Sequence, residues 1–444
     1  YFFNYKEKIK SRFGVDVLYE DRIGGETSFN KVRDYGTTNH YGAVLNSRRI
    51  QIFENTGFLL NSEKNRSFAV NGNMVYHQLE SQFGLRDYNP TQISGNLALV
   101  LNSDLWNDKN KISLGLGSSY DELKENLTNK NYIVGQPEDK KELVMGAYAE
   151  YTYSDRKKWT VVTGLRGDYN TFYEQTIFTP RIHAKYSPLD NSAFRISAGR
   201  GLHSANILPE NISLLTTSRI LYFDEELELE DAWNYGISYT HKFFLEGERS
   251  IAFAIDFHRT DFTNRVVIDL ERNAQEAHFY NLKDKSYANS FQAEMSITPI
   301  EGFETTVAYV FTDSKITINN KLVEMPLTAK HKGLISLHYT TLYERWKFSF
   351  TTQYHGTTSL PNTSMNPAIY QLPNISPDYF ILHAQITRKF KKFEAYIGCE
   401  NILNYTQKNP IISSNNPFGQ YFDSSIIYAP ILGRQLNFGL RIKI

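Results

Sequence analysis

Apolar residues recur at every second position in segment after segment of this chain. "RQLNFGLRIKI", Arg434 to Ile444, shows it plainly: Leu436, Phe438, Leu440, Ile442 and Ile444 alternate with Gln435, Asn437, Gly439, Arg441 and Lys443. The same pattern runs through Arg66–His77 (Phe68, Val70, Met74, Tyr76), Trp159–Tyr169, Ile251–His258, Phe303–Phe311 and Trp346–His355. Alternation of this kind predicts strands with one face in an apolar medium and the other wet. Convincing helical periodicity is absent, so the chain reads as all-β, with about 18 strands.

The connections between these strands sort by length. Short ones lie near 61–65, 154–157, 188–192, 299–301 and 390–391; long ones lie near 21–45, 79–90, 121–142, 201–230, 261–286, 314–330, 356–377 and 403–433. A two-sheet sandwich has no reason for such strict alternation. A transmembrane antiparallel β-barrel has one, since short turns face the periplasm and long loops face outside. A strand of about ten residues, rising about 3.3 Å per residue and tilted by roughly 40°, covers about 25 Å of the membrane normal, the height of the lipid-facing band. Aromatics fall at strand ends (Tyr19, Tyr76, Trp159, Tyr169, Tyr239, Phe311, Trp346, Tyr354), where interfacial girdles belong. On this reading Leu436, Phe438, Leu440, Ile442 and Ile444 face lipid, and residues 1–444 form one transmembrane barrel domain.

Composition narrows the function. No apolar run approaches the ~20 residues a membrane helix needs. Lys+Arg 48 and Asp+Glu 48 cancel, so the basic footprint of a nucleic-acid binder is missing. A lone cysteine, Cys399, excludes a disulfide framework or a multi-cysteine metal site. No phosphate-binding glycine loop, zinc-binding histidine pair or serine elbow occurs, so the expectation is no enzyme, no cofactor and no metal. Histidines 77, 183, 258, 338, 355 and 383 fall on the wet face, where polar lumen lining accounts for them. The opening "YFFNYKEKIK" has neither a Met start nor a signal peptide and reads as the interior of a longer protein.

From Phe178 onward the sequence resembles TonB-dependent outer-membrane receptors. "FTPRIHAKYSP" is followed by "FRISAGRGLHSANILPEN" and by "LELEDAWNYGISY", whose Leu227, Glu230, Asn234 and Tyr235 fit the family's strand-opening pattern. "AYIGCENILNY" (Ala395–Tyr405) resembles the penultimate-strand signal, and "GRQLNFGLRIKI" the terminal strand. The abundance of Lys, Asn and Tyr gives the sequence the style of receptors from the Bacteroidetes. The resemblance implies a 22-stranded barrel with an N-terminal plug, of which plug and first strands would lie upstream of Tyr1. It also implies localisation in the bacterial outer membrane, energising by TonB–ExbB–ExbD through the plug, and import of a scarce nutrient. A metal chelate (ferric siderophore, haem or cobalamin) is the substrate class that loops of moderate length suggest.

Three other readings stay open: a passive 18-stranded porin, an importer of oligosaccharide or peptide working with a surface lipoprotein, and an adhesive barrel. Contact with outer-membrane lipid and lipopolysaccharide is expected in each. For ligand capture, the loop "LESQFGLRDYNP" combines Phe83, Arg86, Asp87 and Tyr88, aromatic and charged together. Arg200, His203 and Arg219 flank or lie in the 201–230 loop, and the two arginines could attract an anionic chelate. The acidic run Phe223–Asp231 could hold calcium or simply be a solvated loop.

Overall fold

In the computed structural model, every residue is described except 1, 129–131, 136–138, 248, 443 and 444. The strands in chain order are β1 (Phe2–Tyr5), β2 (Ile9–Gly25), β3 (Gly42–Asn61), β4 (Arg66–Phe83), β5 (Arg86–Tyr88), β6 (Thr91–Asp104), β7 (Asn110–Lys124) and β8 (Ile133–Val134). They continue as β9 (Lys140–Ser154), β10 (Trp159–Asn170), β11 (Gln175–Tyr186), β12 (Ser192–His203), β13 (Ile220–Phe223), β14 (Glu230–Phe244), β15 (Ser250–Asp269) and β16 (Glu276–Leu282). The last eight are β17 (Ser286–Ile300), β18 (Phe303–Ile318), β19 (Lys321–Glu324), β20 (His331–Thr340), β21 (Trp346–His355), β22 (Tyr379–Lys389), β23 (Phe393–Glu400) and β24 (Gln435–Ile442). All but β1, β5, β8, β13, β16 and β19 are long, and each long strand pairs antiparallel with the next long one along the chain, from β2 to β24. This is the meander of an up-and-down barrel wall. Among the described residues no ladder joins β24 to β1 or β2.

Register assigns the two faces. Ladder partners share a face, so Val17, Ile50 and Tyr76 lie together, as do Leu99 with Leu116 and Ile397 with Phe438. The opposite face carries Arg12, Asp16, Arg166, Asp168, His183 and His258. Glycines identify that polar face as the concave one. At Gly14, Gly115, Gly236 and Gly439 the ring of Phe53, Tyr148, His258 or Tyr396 leans over the bare Cα, leaving no room for a Cβ. Side chains converge on the inside of a curved sheet, and glycine relieves the crowding. Leu436, Phe438, Leu440 and Ile442 project from the convex face and are exposed, Phe438 at 85%; Ile444 lies outside the described residues. Aromatic pairs line the turn side of the convex face: Trp159 stacks on Tyr186, Phe194 on Tyr239, and Tyr339 on Phe348.

Two expectations about the connections need correction. Residues 171–174 join β10 to β11 in a tight turn on the long-loop side, so the alternation is not strict. Asn170 makes the turn possible: its Oδ1 accepts the backbone N–H of Phe172 at 3.0 Å and of Tyr173 at 3.2 Å. Much of the loops expected at 79–90, 261–286 and 314–330 is in fact strand, because β4, β15 and β18 run on beyond the apolar band. There the apolar side chains pack on other loop segments instead of lipid, Val267, Leu282, Ile316 and Ile318 in one buried cluster and Phe83 in another, so pairing continues after the long lipid-facing alternation has stopped.

Candidate functional site: the loop-side cap and the cavities beneath it

Loops from distant parts of the wall meet on one side of the barrel. The 204–229 segment is the centrepiece, with a short helix α1 (Ile207–Glu210), a 3-10 turn (Ile212–Thr216) and then β13. β13 runs parallel to β16 on one side and to β8 on the other, a three-stranded patch built from three different loops. Under it Phe83, Tyr88, Leu208, Leu215, Leu221 and Phe279 form a buried apolar cluster. A loop folded this way has its own core, which explains how so much backbone can be buried away from the wall.

Polar contacts lock the cap. Arg219 is 1% exposed. Its Nε donates to Asp423 Oδ2 at 2.9 Å, its Nη1 to the Glu276 carbonyl at 3.1 Å, and its own carbonyl accepts Arg86 Nη2 at 3.0 Å. Arg86 also stacks over the Tyr132 ring at 4.1 Å, and burial pushes its guanidinium down to about 10. The Tyr88 hydroxyl donates to Glu125; burial raises the Tyr88 phenol and, likewise, the Glu125 carboxyl. Asp87 accepts the Tyr35 hydroxyl at 3.2 Å and the Thr128 hydroxyl at 3.1 Å. Tyr41 packs on Phe422 at 4.7 Å between ring centres, and burial lifts its phenol to about 12.

The structure therefore brings Phe83, Arg86, Tyr88 and Arg219 together, inside the cap rather than on its surface. Arg200 and His203 lie apart from them. Arg200 is on the convex face near the loops, with its Nε and Nη2 on the two carboxylate oxygens of Asp231 at 2.8 and 2.9 Å. His203 Nδ1 sits 2.6 Å from Glu230 Oε2. Among the described residues no group of three potential metal ligands forms.

Two cavities open beneath and beside the cap. One, of about 410 Å³, is lined by Ile207, Leu214, Ile268, Met325 and Ile426 together with Glu230 and Arg265. Arg265 is the residue that sequence reasoning missed. Its Nη2 reaches only the thioether of Met325 at 3.2 Å, and its buried Nη1 has no hydrogen-bond partner among the described residues. Nothing in the sequence distinguishes it from other loop arginines, since the missing partner is a property of the packed site. The second cavity, about 700 Å³, lies against the 171–174 turn and is lined by Phe172, Tyr173, Glu174, Glu125 and Lys140, among others.

Comparisons with known proteins agree with this architecture. The profile of the family described as "TonB dependent receptor-like, beta-barrel" matches residues 5–402. Pseudomonas aeruginosa FpvA, solved bound to heterologous pyoverdines, superposes with a TM-score of 0.67 at 15% identity, covering 99% of this chain and 63% of FpvA. The siderophore receptor PiuA from Acinetobacter baumannii gives 0.65 at 12%, covering 99% and 72%. The FrpB iron transporter from Neisseria meningitidis gives 0.67 at 12%, covering 98% and 70%. The chain thus spans less than two thirds of the length of FpvA. No curated protein sequence matches it significantly. The wall, its faces and the family match lead to one assignment: this chain belongs to the TonB-dependent receptor-like β-barrel family, whose members reside in the bacterial outer membrane.

Proposed function

We propose that the protein imports a small anionic metal chelate across the outer membrane, driven by TonB–ExbB–ExbD acting through a plug, with residues 1–444 forming the barrel. The observation that carries this reading is the 410 Å³ cavity under the cap, where the Arg265 guanidinium presents a buried N–H without a partner. The half-buried guanidinium lies over the Phe262 ring at 4.5 Å, and a buried N–H without an acceptor is costly, a cost that an anionic ligand would relieve. Mostly apolar walls with Arg265 as the one cationic donor, set beside the Glu210 and Glu230 carboxylates, suit a chelate with an organic periphery and a few carboxylate or phenolate oxygens. The neighbours named for siderophores and iron support this class of cargo. Phe83, Arg86, Asp87, Tyr88, Arg200, His203 and Arg219 then act mainly as supports of the ligand-bearing mouth.

The test is uptake of radiolabelled ferric citrate and of a neutral cobalamin by cells making the full-length protein, with and without a protonophore. Expected is protonophore-sensitive uptake of the anionic chelate, lowered at least tenfold by Arg265→Gln with barrel level unchanged. Uptake indifferent to the protonophore would replace this reading with a passive porin.

A further inference from the structure

The convex face contains one residue that does not suit lipid. On β3 the outward positions from turn side to loop side are Phe58, Thr56, Glu54, Ile52, Ile50 and Arg48, fixed by unbroken register with β2 and β4. Phe58 stacks on Phe68, and Arg48 lies over the Tyr19 ring, which marks the two rims. Each outward step spans roughly 5 Å of the membrane normal, so Glu54 lies about 10 Å from one rim and about 15 Å from the other, well within the hydrocarbon. The Ser11 and Thr56 hydroxyls both donate to its Oε1, Ser11 at 2.8 Å. No hydrogen bond reaches Oε2 among the described residues. Other outward charges sit nearer the strand ends and are engaged: Arg200 with Asp231, Arg259 with Asp261, and Arg388 over Trp346.

A second feature adjoins it. Gly72 is the ladder partner of Glu54 on β4. A Cβ there would meet nothing closer than 3.6 Å, so the fold itself does not need a glycine at this position. Glycine inside a strand weakens it and marks a bulge, a tight bend or a place where a ligand or another backbone comes close; the register through Gly72 is unbroken on both sides, which excludes the bulge. An intramembrane carboxylate calls for a partner group.

The geometry points to a docking site for a second membrane-embedded polypeptide, its backbone packed on Gly72 and a basic side chain set against Glu54. That polypeptide is a different protein. The outward Arg48, Arg200, Arg259 and Arg388 of this chain lie at other depths and are already engaged, so among the described residues a second copy has no free cation to offer at the depth of Glu54.

The test uses the full-length protein in its own outer membrane. A nitroxide is attached through Met74→Cys, the next outward position of β4 beside Gly72, and, in a second variant, through Leu116→Cys on the convex face of β7, and oxygen accessibility is read by power saturation. Expected is low accessibility at 74 and high accessibility at 116. With the Glu54→Leu exchange added, 74 rises to the level of 116. The detergent-extracted wild-type particle weighs one chain plus a distinct polypeptide, which Glu54→Leu loses while heat-modifiable gel mobility shows an intact barrel. Equal accessibility at both sites, or a particle of one chain or of two identical chains, would each overturn the proposal.

Discussion

Arg219 and Asp423 stand 204 residues apart in the chain and meet side by side, Nε to Oδ2 at 2.9 Å, with almost no solvent access. They tie the central loop of the mouth to the last one. Arg219→Leu leaves Asp423 as an uncompensated buried charge, a cost of about 3–5 kcal/mol. The paired exchange of Arg219 and Asp423 for leucine costs much less. Limited proteolysis of residues 204–229 and 401–434 checks this, and a double variant cut as fast as the single one would refute it.

The mouth responds to acid through Glu125. Burial raises its carboxyl above the ordinary range, so the folded state binds its proton more tightly than the unfolded state does. Stability at this contact therefore rises as pH falls through the raised value and levels off below the unfolded one near 4.5. Glu125→Gln, permanently neutral, removes that slope. Denaturant midpoints of wild type and variant, compared from about pH 8 to about pH 4, should converge on the acidic side.

The convex face predicts a position-dependent penalty. Phe438→Arg places a cation against lipid and costs about 2–4 kcal/mol near the bilayer midplane. Asn437→Arg points to the concave side and costs far less. Urea unfolding of the full-length barrel in phospholipid vesicles separates the two; equal losses would mean that the faces are misassigned.

Arg200 is the contrasting arginine. It is satisfied by Asp231 on the outer wall, and a partly exposed pair of this kind contributes below about 1 kcal/mol. Arg200→Ala should leave chelate binding unchanged in titration calorimetry, whereas Arg265→Gln weakens it.

What was legible in the sequence follows from periodicity. Strands crossing the apolar band alternate because their two faces meet different media, and that pattern locates the long strands and the orientation of Leu436 and Phe438. Beyond the band the strands pack on neighbouring loops instead of lipid, as Val267, Ile316 and Ile318 do, and the long alternation ends. The upper parts of β4, β15 and β18 therefore look like loops, and so does β13, four residues that pair only in parallel with segments from elsewhere. The arginines show the same limit. That Arg219 is bound by Asp423, Arg200 by Asp231 and Arg265 by neither a carboxylate nor a carbonyl depends on register and loop packing. Their sequence surroundings carry no trace of it. Asn170 is a middle case: Asn before a turn is a readable signal, and the connection it starts is missing from the loops that the alternation picked out.

The placement of β13 also dictates an order of assembly. Residues 221–222 lie against 133–134, and 220–223 against 276–279. The two hairpin arrays between them, β9 to β12 and β14 to β15, must already stand side by side before this small parallel ladder can close. Loop closure over such separations is costly until the wall holds the ends together. The mouth is thus built last, and a chain stalled during insertion would show a finished wall at the periplasmic end while its outer loops were still open to protease.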